Sequence, residues 1–571
     1  MKIKGLLLGM FACAALASCT NNDLVEENDG KQEVKAPAFV SLAIASSSTN
    51  GSRANTETPE QPEDTGISNE GTTAENTVKS LAFVILDTDG KVEVSKTFDA
   101  TAFANAFTLN AGTGMYEQNT ANEEAYKVAA GDKKVIVVLN PTSELIDLKG
   151  ENLYSEIIGG TYSTLPSYGG NIMMANRELS YVTATTANTK NNPAVAAVDV
   201  ERSVAKVMFK PTDENKYTMT IKTHKEIESK KTIDGTEYFV GTDAEGKTFY
   251  FTIKVVEDKP VVDKVLNEKE QEAKYWDGKG ATPSTPYYTG NLTKVKTDNV
   301  TENNITVTLT DYLLSNDQNK SYNVRHISTD GKTGTAFGSL TGSNYLFDCY
   351  FPQKSAETLA NTGFDYTTMF NTPYVTATAT STFTALPFTA ENIDNEGDKN
   401  STACFMAYLF ENAAVRDMQK HAFSTTITFK AKATYANGSA FEGYVYNGTI
   451  YANKTDLQSS NSELQGKTDT ELAAMEGLGH YVDGICYYST QIKHFDNGMP
   501  SSMGIMEFAV VRNNIYSLEV ESISGNGENG GLGNPEVFPT TPETDDESGD
   551  AYIKIKVNKI PWIVRYNKIQ F

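Results

Sequence analysis

The chain has 571 residues, enough for two or three domains, and 49 Lys and Arg against 73 Asp and Glu give a formal net charge of -24. So acidic a surface favours solubility and argues against nucleic acid as a partner, because phosphates need basic patches. Tyr (29), Phe (26) and Gly (42) are frequent, a balance that suits strands and turns.

Lys2 and Lys4 open the chain, and Gly5 to Ala15 is an apolar run of signal-peptide length, too short to span a bilayer. Leu16-Ala17-Ser18-Cys19 follows, small residues before a cysteine, which is the pattern of a lipobox. Residues 1–19 therefore read as a lipoprotein signal, and Cys19 as the lipidated first residue after cleavage. A plain secretory signal with an incidental cysteine is the other reading. Acyl chains anchor a protein by burying methylenes, at about 0.8 kcal/mol each. Residues 38–46 form the first predicted strand, with Val40, Leu42 and Ile44 on one face at period two. From Ser46 to about Thr77 the chain is polar and reads as a protease-accessible linker. It holds Gly51-Ser52-Arg53-Ala54, and Arg53 is the sole Lys or Arg between Lys35 and Lys79.

Strands are predicted at 78–86, 135–140 and 198–209, and the polar run after Pro211 suggests a domain boundary near 212. Later strands fall at 217–222, 237–256, 303–310, 344–351, 423–434, 441–451, 481–490 and 506–522. The helical candidates are short: 121–128, 310–316, 402–413 and 469–476. Many short strands with turn signals between them predict a mainly β chain of two tandem β-sandwich domains, transthyretin- or Ig-like, over 54–212 and 213–524. Residues 525–550 are an acidic linker, and 551–571 a terminal strand segment. Ile553, Ile555 and Val557 alternate there with Lys554 and Lys556, before Pro561-Trp562 breaks the pattern. A strand on a long linker can reach beyond its own domain.

The residues carry no catalytic constellation. The five histidines show no metal-binding spacing, and there is no nucleophile elbow or P-loop. Glycines at 525, 527 and 530 have the spacing of a dinucleotide loop, but no helix is expected after them and the stretch reads as linker. No cofactor and no metal are expected; the stretch from Glu543 to Asp550, with Asp545, Asp546 and Glu547 inside it, could hold calcium loosely, but a solvated acidic linker is the plainer reading. Cys349, Cys404 and Cys486 remain outside the signal, and one disulfide among them is an open option. Trp276 and Tyr275, near Tyr287 and Tyr288, are candidates for a sugar-stacking platform, with core or loop aromatics as the plainer reading.

Three segments resemble one family. Val200-Glu201-Arg202-Ser203-Val204-Ala205-Lys206 resembles the strand that closes the N-terminal domain of type V pilus fimbrillins of Bacteroides-type bacteria. Val510-Val511-Arg512-Asn513-Asn514-Ile515-Tyr516 is similar to the family's C-terminal domain ahead of a late strand. The ending, Val557 to Tyr566 with Pro561-Trp562, resembles the terminal strands of minor-fimbrium shaft subunits. Lipobox, early strand, Arg-Ala pair and acidic linker come in the family's order. The middle, about 213–500, matches only in general character.

The resemblance implies a structural pilus-shaft subunit and no enzyme. It implies export as an outer-membrane lipoprotein, with the membrane met only through the precursor lipid. A protease would cut between Arg53 and Ala54 and remove propeptide 20–53 with the strand at Val40, Leu42 and Ile44. The groove so opened would take the C-terminal strand of another copy, with Ile553, Ile555, Val557 and Trp562 as donor residues. Implied partners are further copies in a homopolymer, anchor and tip subunits, and host or bacterial surface receptors met in adhesion and biofilm formation. The alternative function is a surface glycan-binding lipoprotein using aromatics such as Trp276.

Overall fold

The computed structural model describes residues 36–561 apart from 47–70, 111–112, 211–214, 277–278, 285, 289–291, 339, 341–342, 362, 387–402, 495, 500–501, 524–531, 538–541 and 548–553. Cys19, Arg53, Ala54, Ile553 and Trp562 lie outside these residues. The described chain is mainly β, with short helices. No described helix is long and apolar enough to cross a membrane.

The N-terminal residues build a ten-stranded sheet. Its main path runs Val92–Phe98, Leu81–Leu86, Gly131–Leu139, Met174–Asn176, Ala194–Arg202, Pro37–Ser46, Met115–Gln118 and Phe107–Asn110. Leu81–Leu86 is buried at every position because the sheet is covered on both faces. Leu81, Phe83 and Ile85 enter one core with Val135, Val137 and Leu139. Ala82, Val84 and Leu86 enter another with Ile136 and Val138. That is why both strands read as unbroken apolar runs and not as alternation.

The run 198–209, expected as one strand, is two. Ala194–Arg202 ends in the first sheet, and after Ser203-Val204 the strand Ala205–Lys210 joins a four-stranded sheet. There it pairs antiparallel with Cys404–Leu409 and parallel with Asn514–Ser522, which carries Lys554–Pro561 on its other side. An eight-stranded sheet, including Lys216–Glu228, Lys296–Ser315 and Thr426–Tyr435, faces it. Val207, Phe209, Tyr516 and Leu518 from the four strands share a core with Ile221, Val307 and Phe429 from the eight. On the opposite side, Met208 and Ile515 share the second N-terminal core with Val84 and Val138. Residues 230–267 fold into a small sheet of their own around Phe249, Phe251 and Val265. The stretch 237–256, expected as one strand, is a hairpin there, Thr236–Thr242 with Thr248–Val256. Gly246 sits in its turn at φ +81°, where other residues are strained.

Three of the four helical candidates hold strand and no helix among their described residues. Residues 121–125 are turn and coil leading into Tyr126–Ala129, 310–315 lie in Lys296–Ser315, and 402–413 hold Cys404–Leu409. Only 469–476 contains a helix, Asp469–Ala473, started by a capping box between Thr468 and Glu471. Cys349, Cys404 and Cys486 are all free thiols, so the disulfide considered among them does not form. Cys486 is a small core residue, and burial pushes its thiol up to about 12.

Candidate strand-exchange sites

Pro37–Ser46 is an internal strand with partners along both edges. It runs parallel to Ala194–Arg202, with Val40 against Ala194 and Ile44 against Val198. On the other edge it pairs with Tyr126–Ala129 over its first half and with Met115–Gln118 over Ala43 and Ile44. Between those two partners the Leu42 N–H would lack an acceptor, and the Gln118 Oε1 supplies one at 3.1 Å. The Gln118 amide is held in turn by donating to the carbonyls of Glu123 and Glu124. Ala38, Val40, Leu42 and Ile44 are at most 1% exposed. They pack in a core with Phe83, Phe103, Phe107, Tyr126 and Val198. Burying Val40, Leu42 and Ile44 contributes about 5–9 kcal/mol, at roughly 1.5–3 per side chain. Because the strand is internal, its removal would bare two rows of main-chain donors and acceptors and an apolar trough.

Lys554–Pro561 is held differently. Among the described residues it is the outermost strand of its sheet, bonded on one edge, with Leu518 against Val557, Val520 against Ile555 and Asn514 against Pro561. Val557 is half-buried against the core. Pro561 lacks an N–H and lies at the end of the strand, where the loss of one ladder bond costs least.

The acidic segment before this strand is not a free tether along its whole length. Residues 542–547 dock on the 416–424 loop. The Thr544 carbonyl accepts from the His421 N–H at 3.0 Å, and the Asp546 N–H donates to the Gln419 carbonyl at 3.2 Å. Lys420 pairs with Asp545 and Lys493 with Glu547. The Asp546 carboxylate is buried and accepts from the Ser424 hydroxyl. His421 Nε2 stands 4.0 Å from its other oxygen, but burial holds that imidazole down to about 4, so it brings no charge at neutral pH. Burial accordingly pushes Asp546 well above the usual carboxylate range, and Ser424 offsets only part of this. A raised carboxyl favours docking at low pH, and that advantage is lost as pH rises through the raised value. Asp546→Asn should therefore slow hydrogen exchange over 542–547 relative to wild type at pH 8. The difference should shrink on acidification; equal exchange at both pH values would contradict this.

The other sequence candidates sort as follows. Tyr275 is 57% exposed, but Tyr288 is buried against Phe249 and Trp276 stacks edge-on to Tyr287. The Trp276 indole donates to the Lys279 carbonyl, so these rings brace the end of the small sheet. Asp496, Glu507 and Glu547 come within metal-holding distance of one another among the described residues. Lys493 sits among them, 3.6 Å from Asp496 and 3.2 Å from Glu507, and offsets part of their charge. Sequence reasoning missed Gln118, Ser424 and Glu75, whose partners are distant in the chain.

Residues 479–568 match the family model of the major fimbrial subunit protein type IV, fimbrillin, C-terminal. No curated protein matches the chain. Among solved structures, a cell adhesion protein of Parabacteroides distasonis is 12% identical, with 92% of this chain and 99% of that one covered at a TM-score of 0.37. A cell adhesion protein of Bacteroides eggerthii is also 12% identical, with 94% and 99% covered at 0.37. A fimbrilin of Porphyromonas gingivalis is 12% identical, with 93% and 99% covered at 0.31. Likenesses this loose carry no argument of their own. Over residues 479–568 the chain is thus similar to the C-terminal domain of fimbrillins, in line with the resemblance seen in the sequence.

Proposed function

We propose that the protein is a shaft subunit of a surface pilus that polymerises by strand exchange. The observation that carries this reading is the contrast between its two end strands. Pro37–Ser46 is internal and paired on both edges, yet it is joined to the rest of the sheet through a polar segment with a single arginine, Arg53. Lys554–Pro561 is an edge strand, paired on one side among the described residues. The first leaves a trough if cut away, and the second is the strand that can leave its own sheet at least cost. The fimbrillin C-terminal domain supports a fimbrial role in which the chain is structural and not catalytic.

In this reading the chain is two tandem β-sandwiches, transthyretin- or Ig-like, preceded by a propeptide. Cys19 carries the precursor's lipid to the outer membrane. Cleavage between Arg53 and Ala54 frees the lipid and the first strand together. The C-terminal segment of another copy, with Ile553, Ile555, Val557 and Trp562, then enters the trough. The contact is head-to-tail, so it propagates into a filament and does not close into a dimer. Anchor and tip subunits would end the filament, and surface receptors would be met along it.

Limited trypsin digestion of the purified precursor tests this. Cleavage after Arg53 should turn the monomer into a ladder of polymers visible by size-exclusion chromatography and electron microscopy. A chain lacking 551–571 should be cut in the same way and stay monomeric. A cleaved full-length chain that stays monomeric at high concentration would sink the reading.

A further inference from the structure

We propose that Lys354 and Asn412 close an intramolecular isopeptide bond in the C-terminal half, with Asp348 as the base. Nothing in the pilus reading requires it, and the two stand or fall separately.

The three side chains meet where two loops cross. Asp348 and Lys354 flank the short 3-10 turn Phe351–Gln353, and Asn412 follows the strand Cys404–Leu409. None is more than 1% exposed. Lys354 Nζ lies 2.6 Å from Asp348 Oδ2 and 2.6 Å from Asn412 Oδ1. It also donates to the Ala413 carbonyl at 2.9 Å. The Asn412 amide cannot be read the other way round. Its Nδ2 faces three acceptors that its two hydrogens can serve: the Asn316 carbonyl at 3.1 Å, the Phe423 carbonyl at 2.8 Å and Thr425 Oγ1 at 2.9 Å. The carbonyl therefore faces the lysine, and its carbon lies one bond behind an atom that Nζ already touches. Phe347, Phe351 and Ala413, from the same two loops, belong to an apolar core cluster.

This arrangement holds the parts of an amide-forming reaction. Burial lowers the Lys354 ammonium's hold on its proton, and Asp348 only partly restores it. Desolvated lysines are nucleophiles for that reason. Asp348 takes one proton from Nζ, within the reach a general base needs. The freed electron pair forms the Nζ–Cγ bond, and charge moves onto Oδ1. Gln318 Nε2, 3.3 Å from Oδ1 and 2.7 Å from Asp348 Oδ2, donates toward that charge. A second Nζ proton passes to Nδ2. The Cγ–Nδ2 bond breaks with its electron pair going to nitrogen, and ammonia leaves, taking the Asp348 proton with it as ammonium. The third Nζ proton stays on the new amide. Nothing is oxidised or reduced, and no co-reactant is needed. The product ties together positions 58 residues apart in the chain. Such a covalent loop resists pulling in a way that a non-covalent core does not.

Mass spectrometry of the full chain, denatured and digested, decides the matter. The digest should contain one branched peptide joining the Lys354 and Asn412 segments, lighter than their sum by one ammonia. Trypsin should fail to cut after Lys354. Recovery of the two segments as separate peptides of full mass overturns the proposal. In Asp348→Asn, which keeps the shape and removes the base, the branched peptide should be lost. An undiminished branched peptide in that variant overturns the role given to Asp348.

Discussion

Leu42→Asp in the precursor should open the N-terminal sheet without any protease. Leu42 is 1% exposed in the middle of Pro37–Ser46. The substitution forfeits roughly 1.5–3 kcal/mol of apolar burial. It also sets a carboxylate against Phe and Val side chains, with an effective penalty of several kcal/mol for an unpaired buried ion. The strand stays covalently joined to the chain, so under the proposed strand exchange the competition is between a damaged internal strand and the C-terminal strand of another copy. We expect faster hydrogen exchange in Ala194–Arg202 and Met115–Gln118, and polymers that form from uncut protein. Val195→Asp is the matched control. Val195 is 59% exposed on the neighbouring strand, and such a change should cost no more than about 0.5 kcal/mol. If Leu42→Asp stays monomeric with wild-type exchange, the first strand is not what holds the trough shut.

The period-two faces of the first strand could be read from the sequence, because one face of it meets a core rich in aromatics. The helical misreadings have physical causes. Residues 310–316 lie just past a register shift between Leu309 and Asp311, and the extra residue breaks the alternation so that apolar positions fall at helical spacing. Cys404–Leu409 sends Met406 into one core and Phe405 and Tyr408 into another, so its pattern is continuous. A short continuous run does not separate strand from buried helix. The long-range polar contacts were harder still. Gln118 looks like any surface glutamine until the gap it fills between two partner strands is known. Lys206 and Arg202 did leave a signal, as charges within an apolar strand run that must find partners. Nothing in the sequence said that one partner would be Glu75.

The two end strands obey one physical rule. A strand internal to a sheet is held by two ladders and two faces, so only covalent cutting or gross mispacking releases it. An edge strand is held by one ladder, and here the segment before it is fixed by side-chain contacts at Asp545, Asp546 and Glu547 and by main-chain hydrogen bonds to the 416–424 loop. Those contacts leave the strand itself replaceable while limiting where its root can go.

Under the proposed cleavage after Arg53 the Glu75 cluster would anchor the new chain end, and the second large effect is expected there. Glu75 lies in the helix Thr73–Asn76, just past the linker that holds Arg53. Its carboxylate meets Lys206 Nζ at 2.9 Å with both side chains fully buried, and accepts from the Tyr408 hydroxyl at 2.5 Å. The Thr72 N–H donates to its other oxygen at 2.7 Å. Burial alone would push Glu75 up; Lys206, Arg202 and the hydrogen bonds outweigh it and hold the carboxyl below its ordinary value. Its contribution to stability is therefore present above pH 4.5 and is lost as pH falls through the lowered value. Lys206→Ala should cost about 3–5 kcal/mol, because it strands a buried charge. Arg202 remains nearby and should keep the loss toward the low end. Glu75→Leu with Lys206→Met should recover most of that stability, since replacing both ions with apolar groups of similar volume is often neutral or stabilising. Thermal unfolding of Lys206→Ala and of the double variant measures this. The double variant should, however, hold residues 71–76 less firmly after trypsin cleavage, with faster hydrogen exchange there. A double variant as unstable as Lys206→Ala would mean that the pair is needed for the sheets to pack at all, and not only to anchor the newly cut end.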